Sequence, residues 1–271
     1  MNFSIITICY NNRDGLEKTI KSVISQTYKE YEFIVIDGGS KDGSKELLEQ
    51  YDDKIDFWCS EPDKGIYNAM NKGVKLTHGD YVIFMNSGDY FFNNDVLNNI
   101  AKIESNADII AGNVKRIGSD RPLHPHLNSI FEQLYRNTLN HQGSFIRRNL
   151  LIKYPYEEEH LRIVSDWKFW IETIIFNNAT LYRTDLFVAF QDMTGISQDF
   201  SALDKEREYV LNHYFPHPLR KELDSFYQLQ KQPVIINLTY LKEKSHFSYT
   251  VCRKFISLMT RIVRFSSNLK G

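Results

Sequence analysis

Cysteine is scarce in this chain of 271 residues: Cys9, Cys59 and Cys252 are odd in number and far apart. No CxxC pair or zinc spacing exists, which excludes a disulfide framework and a cysteine-ligated metal and leaves buried thiols in the cytoplasm as the expectation. An excess of one charge is also missing, since 33 basic and 34 acidic residues leave a net −1. That balance argues against a nucleic-acid groove across the main body. No uninterrupted apolar run reaches the roughly 18 residues needed to span a bilayer. A strand pattern begins almost at Asn2 with no charged leader and long apolar segment, so no signal peptide is expected. Neither GxGxxG nor GxxxxGK[ST] occurs, which removes the dinucleotide fingerprint and the P-loop.

What is present describes a folded α/β protein. Hydrophobic residues make up 42% and charged residues 25%, outside the range of disordered chains. Phe3 to Tyr10 reads as a buried strand, and Leu16, Ile20, Val23 and Ile24 follow at helical spacing. Strands at 31–36, 55–59 and 81–85 alternate with helices at 44–51 and 66–77, predicting right-handed βαβ units and a mostly parallel sheet flanked by helices. Strands at 107–114, 143–147 and 179–190 and helices at 129–135 and 166–176 continue the pattern more loosely. After Asp192 the sequence becomes charged and helical, broken by Pro216, Pro218 and Pro233. The expected organisation is a catalytic domain over 1–195, with a nucleotide-binding half at 1–90 and an acceptor half at 91–195, then a helical, basic extension over 196–271.

The run from Gly79 to Asp89 ends an apolar strand abruptly in Asn86-Ser87-Gly88-Asp89. Open α/β sheets bind ligands outside the carboxyl ends of their strands. Thr7 to Asn11 after the first strand, Asp37-Gly38-Gly39-Ser40 after the second and Asn86 to Asp89 after the fourth would therefore line one cleft. A nucleoside diphosphate could use Asp37 for base or ribose, the glycines for close approach, and Asp89 for a cation bridging phosphates. Ordinary strand-to-loop turns use the same residue types.

Longer matches then accumulate in order. The segments 4–12, 22–28 and 33–44, followed by Ser60-Glu61-Pro62-Asp63-Lys64-Gly65-Ile66-Tyr67-Asn68-Ala69-Met70-Asn71-Lys72-Gly73 and Gly79 to Asp89, resemble a family 2, GT-A-type glycosyltransferase. The resemblance is dense over about the first 90 residues and thinner to about residue 200. It implies a GT-A-like fold and an enzyme of bacterial polysaccharide or glycolipid biosynthesis. Such an enzyme moves a sugar with inversion from a UDP-, GDP- or dTDP-sugar to a glycan or lipid-linked acceptor, assisted by Mn²⁺ or Mg²⁺. Carried over position by position, donor binding falls to Thr7, Tyr10, Asn11, Asp37, Gly38, Lys64, Asn68, Lys72, Asn86, Ser87 and Arg147. Metal binding falls to Asp89 and His141. The family's acidic motif usually holds two or more aspartates, so Asn86-Ser87-Gly88-Asp89 departs from it, and the cation would lean on the diphosphate.

The resemblance places the catalytic base at Asp166, in Ser165-Asp166-Trp167 at the start of a helix. Inversion needs one carboxylate within reach of the acceptor hydroxyl. Ser165 or Asp166 would equally make a helix N-cap. Asn140-His141-Gln142-Gly143-Ser144-Phe145-Ile146-Arg147-Arg148 resembles the segment preceding the acceptor site, where His141 could ligate a metal or donate to phosphate or could be a satisfied structural residue, and Arg147 or Arg148 could pair with the diphosphate. Lys64 and Lys72 could neutralise phosphate or lie on a solvated helix face. His124 and His126 flank Pro125 without a third ligand nearby. Two other classes stay open on these residues, a nucleotidyltransferase and a catalytically weak nucleotide-sugar or glycan-binding module.

From Lys242 onward seven basic residues face Glu243 alone, a tail of +6 on a mildly acidic body. Val251, Phe255, Leu258, Met259, Ile262 and Phe265 recur there at helical spacing. Such a helix could lie in the inner face of the cytoplasmic membrane, pack on the catalytic domain, or pair two copies in a homodimer.

Overall fold

The computed structural model describes residues 1–116, 118–119, 122–123, 129–192 and 199–268, the last seven by backbone alone. They form two compact units, Met1–Arg207 and Glu208–Gly271.

In the first unit, apolar and β-branched runs become the strands β1 (Phe3–Cys9), β2 (Tyr31–Asp37), β3 (Phe57–Ser60) and β4 (Tyr81–Phe84). Every residue of β1 and β4 is buried, as a strand covered on both faces requires. The helices α1 (Arg13–Ile24), α2 (Ser44–Gln50) and α3 (Ile66–Leu76) connect them. Asn12 starts α1 by accepting a hydrogen bond from the Gly15 amide, and Leu16, Thr19, Ile20 and Val23 form its buried stripe. Gly73 lets α3 approach β1 closely, since a Cβ there would stand 2.7 Å from Cγ2 of Ile6.

Beyond β4 come β5 (Tyr90–Phe91), α4 (Val96–Ala101), β6 (Ile109–Arg116), β7 (Pro122–Leu123), α5 (Ile130–Arg136), β8 (Ser144–Arg147), α6 (Arg148–Lys153), α7 (Ser165–Trp170) and β9 (Leu181–Gln191). The sheet order is β3-β2-β1-β4-β8-β6-β9-β5, with β7 paired to β6. It is parallel through the first four strands and mixed beyond, because β8 runs antiparallel to both β4 and β6. The two-residue strands β5 and β7 are too short to carry a periodic signal. The helix expected over 166–176 is α7 followed by a π-helical stretch, Ile171–Phe176.

The helix α8 (Phe200–Tyr214) crosses from the first unit into the second, which continues as α9 (His217–Gln230), α10 (Pro233–Lys244) and α11 (His246–Asn268). Pro233 sits at the first position of α10, where its missing N–H costs nothing. Arg220 makes two 2.8 Å contacts with Glu208, one to each carboxylate oxygen. No described helix is long and apolar enough to cross a membrane.

Candidate functional site

Because β1 to β4 are parallel, their carboxyl ends lie on one edge, where Ser60, Asp37, Tyr10 and Asn86 follow one another across the sheet. The strand β8 runs the other way beside β4, so its beginning meets that edge and brings the preceding His141 next to Asn86. Its end, Arg147, pairs with Tyr81 at the start of β4, and the guanidinium lies 4.5 Å from the Tyr81 ring centroid. Arg147 is thus corrected from a donor ligand to a residue at the opposite edge, placed there by strand direction.

The turn after β4 is tied to the first strand and helix. Ser87 donates its amide to the Ile8 carbonyl (3.0 Å), and Asn12 donates its side-chain amide to the Ser87 carbonyl (3.1 Å). The buried Thr19 hydroxyl donates to the Asp89 carbonyl (2.6 Å) and accepts from the Gly88 amide (3.0 Å). Gly88 has φ +101°, and a Cβ there would stand 2.7 Å from a carboxylate oxygen of Asp192, so both backbone and space require glycine.

Asp89 does not present the open carboxylate expected of a metal ligand. It is 4% exposed, Oδ1 accepts from the Asp192 amide (2.8 Å), and Oδ2 accepts from Nε2 of Gln142 (3.1 Å). Burial pushes its carboxyl up to about 6, against the lowering effect of these hydrogen bonds and of His141. Asp89 therefore braces the turn against β9 and the His141 segment.

Asp166 is the convergence point. Its Oδ2 lies 3.0 Å from Nδ1 of His141, its Oδ1 accepts from the Trp167 amide (2.8 Å), and the Tyr67 hydroxyl shares its one proton between that Oδ1 (3.0 Å) and the Ile163 carbonyl (2.6 Å). Nε2 of His141 is 3.2 Å from Nδ2 of Asn86. With Nδ1 donating to the carboxylate, Nε2 accepts from the Asn86 amide, and a continuous line runs from Asn86 through His141 to Asp166. Burial, then the neighbouring Asp166 charge, raise the Tyr67 phenol well above its ordinary range, so it stays a donor.

The expected capping role of Ser165 or Asp166 gives way to another arrangement. Val164 is the N-cap of α7 and has no side chain able to cap. Glu206 instead accepts from the amides of Arg162 (3.0 Å), Ile163 (2.9 Å) and Val164 (3.1 Å), a carboxylate seated in successive backbone donors just before the helix. Trp167 and Trp170 are buried and donate to the carbonyls of Leu134 (2.6 Å) and Leu139 (3.1 Å). Arg207 lies 3.8 Å over the Trp167 ring. Asp166 thus projects from a helix fixed on several sides.

Nearer β1 and β2, Tyr10 is 67% exposed on the crest. The Asn11 amide donates to Ser40 Oγ (2.7 Å), and Asn11 Oδ1 accepts from the Lys41 amide (2.9 Å). A Cβ on Gly38 would stand 2.6 Å from an Asp63 oxygen, which places Asp63 beside that glycine. Two residues expected to touch a donor are turned inward. Thr7 is fully buried and donates to the Met85 carbonyl (2.7 Å), as its strand register dictates. Asp37 is fully buried and accepts from the Ser40 amide (3.0 Å) and the Ser60 hydroxyl (2.6 Å), joining the β2 turn to β3. On α3 and its approach, Lys72 pairs with Glu61 (2.8 Å), Asn68 donates to Glu158 (3.0 Å), and Lys64 is exposed. His124 and His126 lie outside the described residues.

Among the described residues no three His, Cys, Asp or Glu side chains converge to hold a metal. One orphan group lies nearby: Asn86 Oδ1 is buried without a hydrogen-bond partner, on the side chain whose Nδ2 touches His141. A histidine whose other nitrogen donates to a carboxylate is the usual form of a metal-ligating imidazole. Asn86 Oδ1, and His141 Nε2 when its contact to the Asn86 amide opens, are two neutral donors, and these fit a cation that takes most of its ligands from a diphosphate. They do not fit a protein-only cage.

Tyr67, Gln142 and Asn12 stood inside matched segments without an assigned role. Glu206, Arg207 and Thr19 carry no local signal, because their partners are 42 to 44, 40 and 70 residues away in sequence for Val164 to Arg162, Trp167 and Asp89 respectively.

The family described as "Glycosyl transferase family 2" matches residues 4–192. An uncharacterised glycosyltransferase of Mycobacterium tuberculosis is 35% identical over 173 residues, 61% of this chain and 66% of that protein. Among solved structures, S. aureus TarS 1–349 in complex with UDP-GlcNAc superposes with a TM-score of 0.61 at 22% identity, covering 73% of this chain and 61% of that one. A mannosyltransferase from Pyrobaculum calidifontis in complex with GDP-Man and Mn²⁺ gives 0.56 at 12% identity, covering 89% and 84%. The GT-A-like architecture expected from the sequence is the architecture observed.

Proposed function

The chain belongs to glycosyl transferase family 2, and on that premise we propose that it transfers a sugar from a nucleoside diphosphate donor to an acceptor hydroxyl with inversion. The observation that carries this reading is the hydrogen-bonded line Asn86–His141–Asp166 on the carboxyl edge of the sheet, beside the exposed Tyr10.

Asp166 is the general base. Oδ1 is engaged by Tyr67 and the Trp167 amide, whereas Oδ2 is engaged by His141 alone and keeps a lone pair for the acceptor. The acceptor O–H proton passes to Asp166 as its oxygen bonds to the anomeric carbon. The bond from that carbon to the diphosphate breaks, and its electron pair leaves with the nucleoside diphosphate. The attacking and leaving oxygens lie on opposite faces of the sugar, which inverts the centre. His141 holds the carboxylate in place through Nδ1, and its Nε2 meets Asn86 on the turn after β4.

A divalent cation, when bound, would neutralise charge on the departing diphosphate. Asn86 Oδ1 would hold it, joined by His141 Nε2 once that nitrogen's lone pair is released from the Asn86 amide, and Mn²⁺ tolerates such a nitrogen better than Mg²⁺ does. Support comes from the GDP-Man and Mn²⁺ of the Pyrobaculum enzyme and the UDP-GlcNAc of TarS. Tyr10, Asn11, Gly38 and Asp63 border the space for the nucleoside, and Ser87 the space for phosphate. The acceptor in this reading is a glycan or a lipid-linked acceptor.

The test is a thermal-shift panel of UDP-, GDP- and dTDP-sugars with and without Mn²⁺, followed by product analysis with the stabilising donor. Release of nucleoside diphosphate with a glycosylated product supports the reading. Release of pyrophosphate from a nucleoside triphosphate, or donor binding with no turnover across acceptors, overturns it.

A further inference from the structure

We infer that α11 is a docking face for an anionic lipid surface. Phe247, Val251, Phe255, Leu258 and Met259 are 79, 50, 62, 55 and 45% exposed, and at about 100° per residue they form one stripe along the helix. Lone exposed apolar residues are ordinary, but a stripe of five on one helix is not. By the same geometry Lys254 and Arg261 border the stripe and Arg253 lies on the far side. No acidic residue occurs after Glu243, so the whole helix carries cations only.

Cations bordering an apolar stripe match a surface that offers hydrocarbon beneath a layer of negative headgroups. A second copy of the same helix fits less well, because bringing two such faces together also brings their bordering cations together. At 23 residues the helix is long enough to span a membrane but not apolar enough, so it would lie in the plane of the interface. This inference rests on α11 alone and stands or falls independently of the transfer reaction.

The test is flotation of the full chain with phosphatidylcholine vesicles, with and without phosphatidylglycerol, at low and raised salt. Binding is expected to the anionic vesicles, to weaken with salt, and to disappear in Phe255→Glu. Reversing Lys254 and Arg261, which border the stripe, to Glu keeps the apolar stripe and should lower partitioning by about 25-fold or more, at about fivefold per basic residue. Both sets of positions are exposed, and an unchanged thermal transition and helical circular dichroism would establish that the variants fold. Failure to bind, or equal binding to neutral vesicles that charge reversal leaves unchanged, would overturn the inference. So would a wild-type dimer that Phe255→Glu disperses and that binds no vesicles, since the occupant would then be a second copy.

Discussion

Nδ1 of His141 lies 3.0 Å from Oδ2 of Asp166, although 25 residues separate them and each comes from a different element. The contact leaves the base one free lone pair and fixes its direction. Asp166→Asn keeps the shape and removes the basicity. It should lower kcat by about 10²–10⁴ while leaving donor affinity within about twofold. Loss of donor binding with little change in kcat would refute the assignment.

His141 has two neighbours, so its substitutions should separate two effects. His141→Gln retains one amide near Asn86 but not the paired geometry. His141→Ala removes both contacts and leaves Asp166 Oδ2 without this donor. Both should lower kcat by about tenfold or more, and Ala should also weaken the dependence of donor affinity on Mn²⁺. Isothermal titration with and without Mn²⁺ reads the second effect. Arg147→Ala, at the far edge of the sheet, is the matched control and should leave both parameters near wild type.

Asp89 predicts a pH signature in stability. Its carboxyl keeps a proton up to about pH 6 in the fold, whereas the unfolded chain releases it near 3.8. Between those values the folded state binds more protons, so this group's contribution falls as pH rises and is at its worst above pH 6. The ionised form costs on the order of 3 kcal/mol at neutral pH. Asp89→Asn should therefore gain stability relative to wild type between pH 4.5 and 7.5, read as the difference in urea midpoints. A parallel pH dependence in both proteins would show that Asp89 is not the group responsible.

Glu206 gathers three amides at residues 162–164, just before Asp166 in the chain. Glu206→Gln replaces charge-assisted bonds with neutral ones and leaves one oxygen for three donors. The start of α7 should loosen, with kcat falling about tenfold and the donor KM little changed. An equal loss in both parameters would indicate general unfolding, which the thermal transition would report.

Much of the first ninety residues was legible because periodicity is local. The alternation of apolar strands with amphipathic helices sets β1 to β4 and α1 to α3 within a few residues of their observed ends, and parallel strands necessarily place their turns on one edge. The neighbourhood of a side chain is a different matter. Thr7 and Asp37 stand at that edge in sequence, but the register of β1 on β4 and the closeness of Ser40 and Ser60 turn them inward. Arg147 looked adjacent to His141, and an antiparallel strand only four residues long carried it to the other side of the sheet.

By itself, the sequence determined the α/β architecture, the family and the polar turns that ring the cleft, since each depends on short-range pattern and residue type. Tertiary structure decided which groups are open to a ligand. It buried Asp89 against Gln142 and Asp192, left Asn86 Oδ1 without a partner, and set His141 between Asn86 and Asp166. Those outcomes depend on strand direction and on contacts between residues far apart in the chain, for which no local pattern can encode a partner.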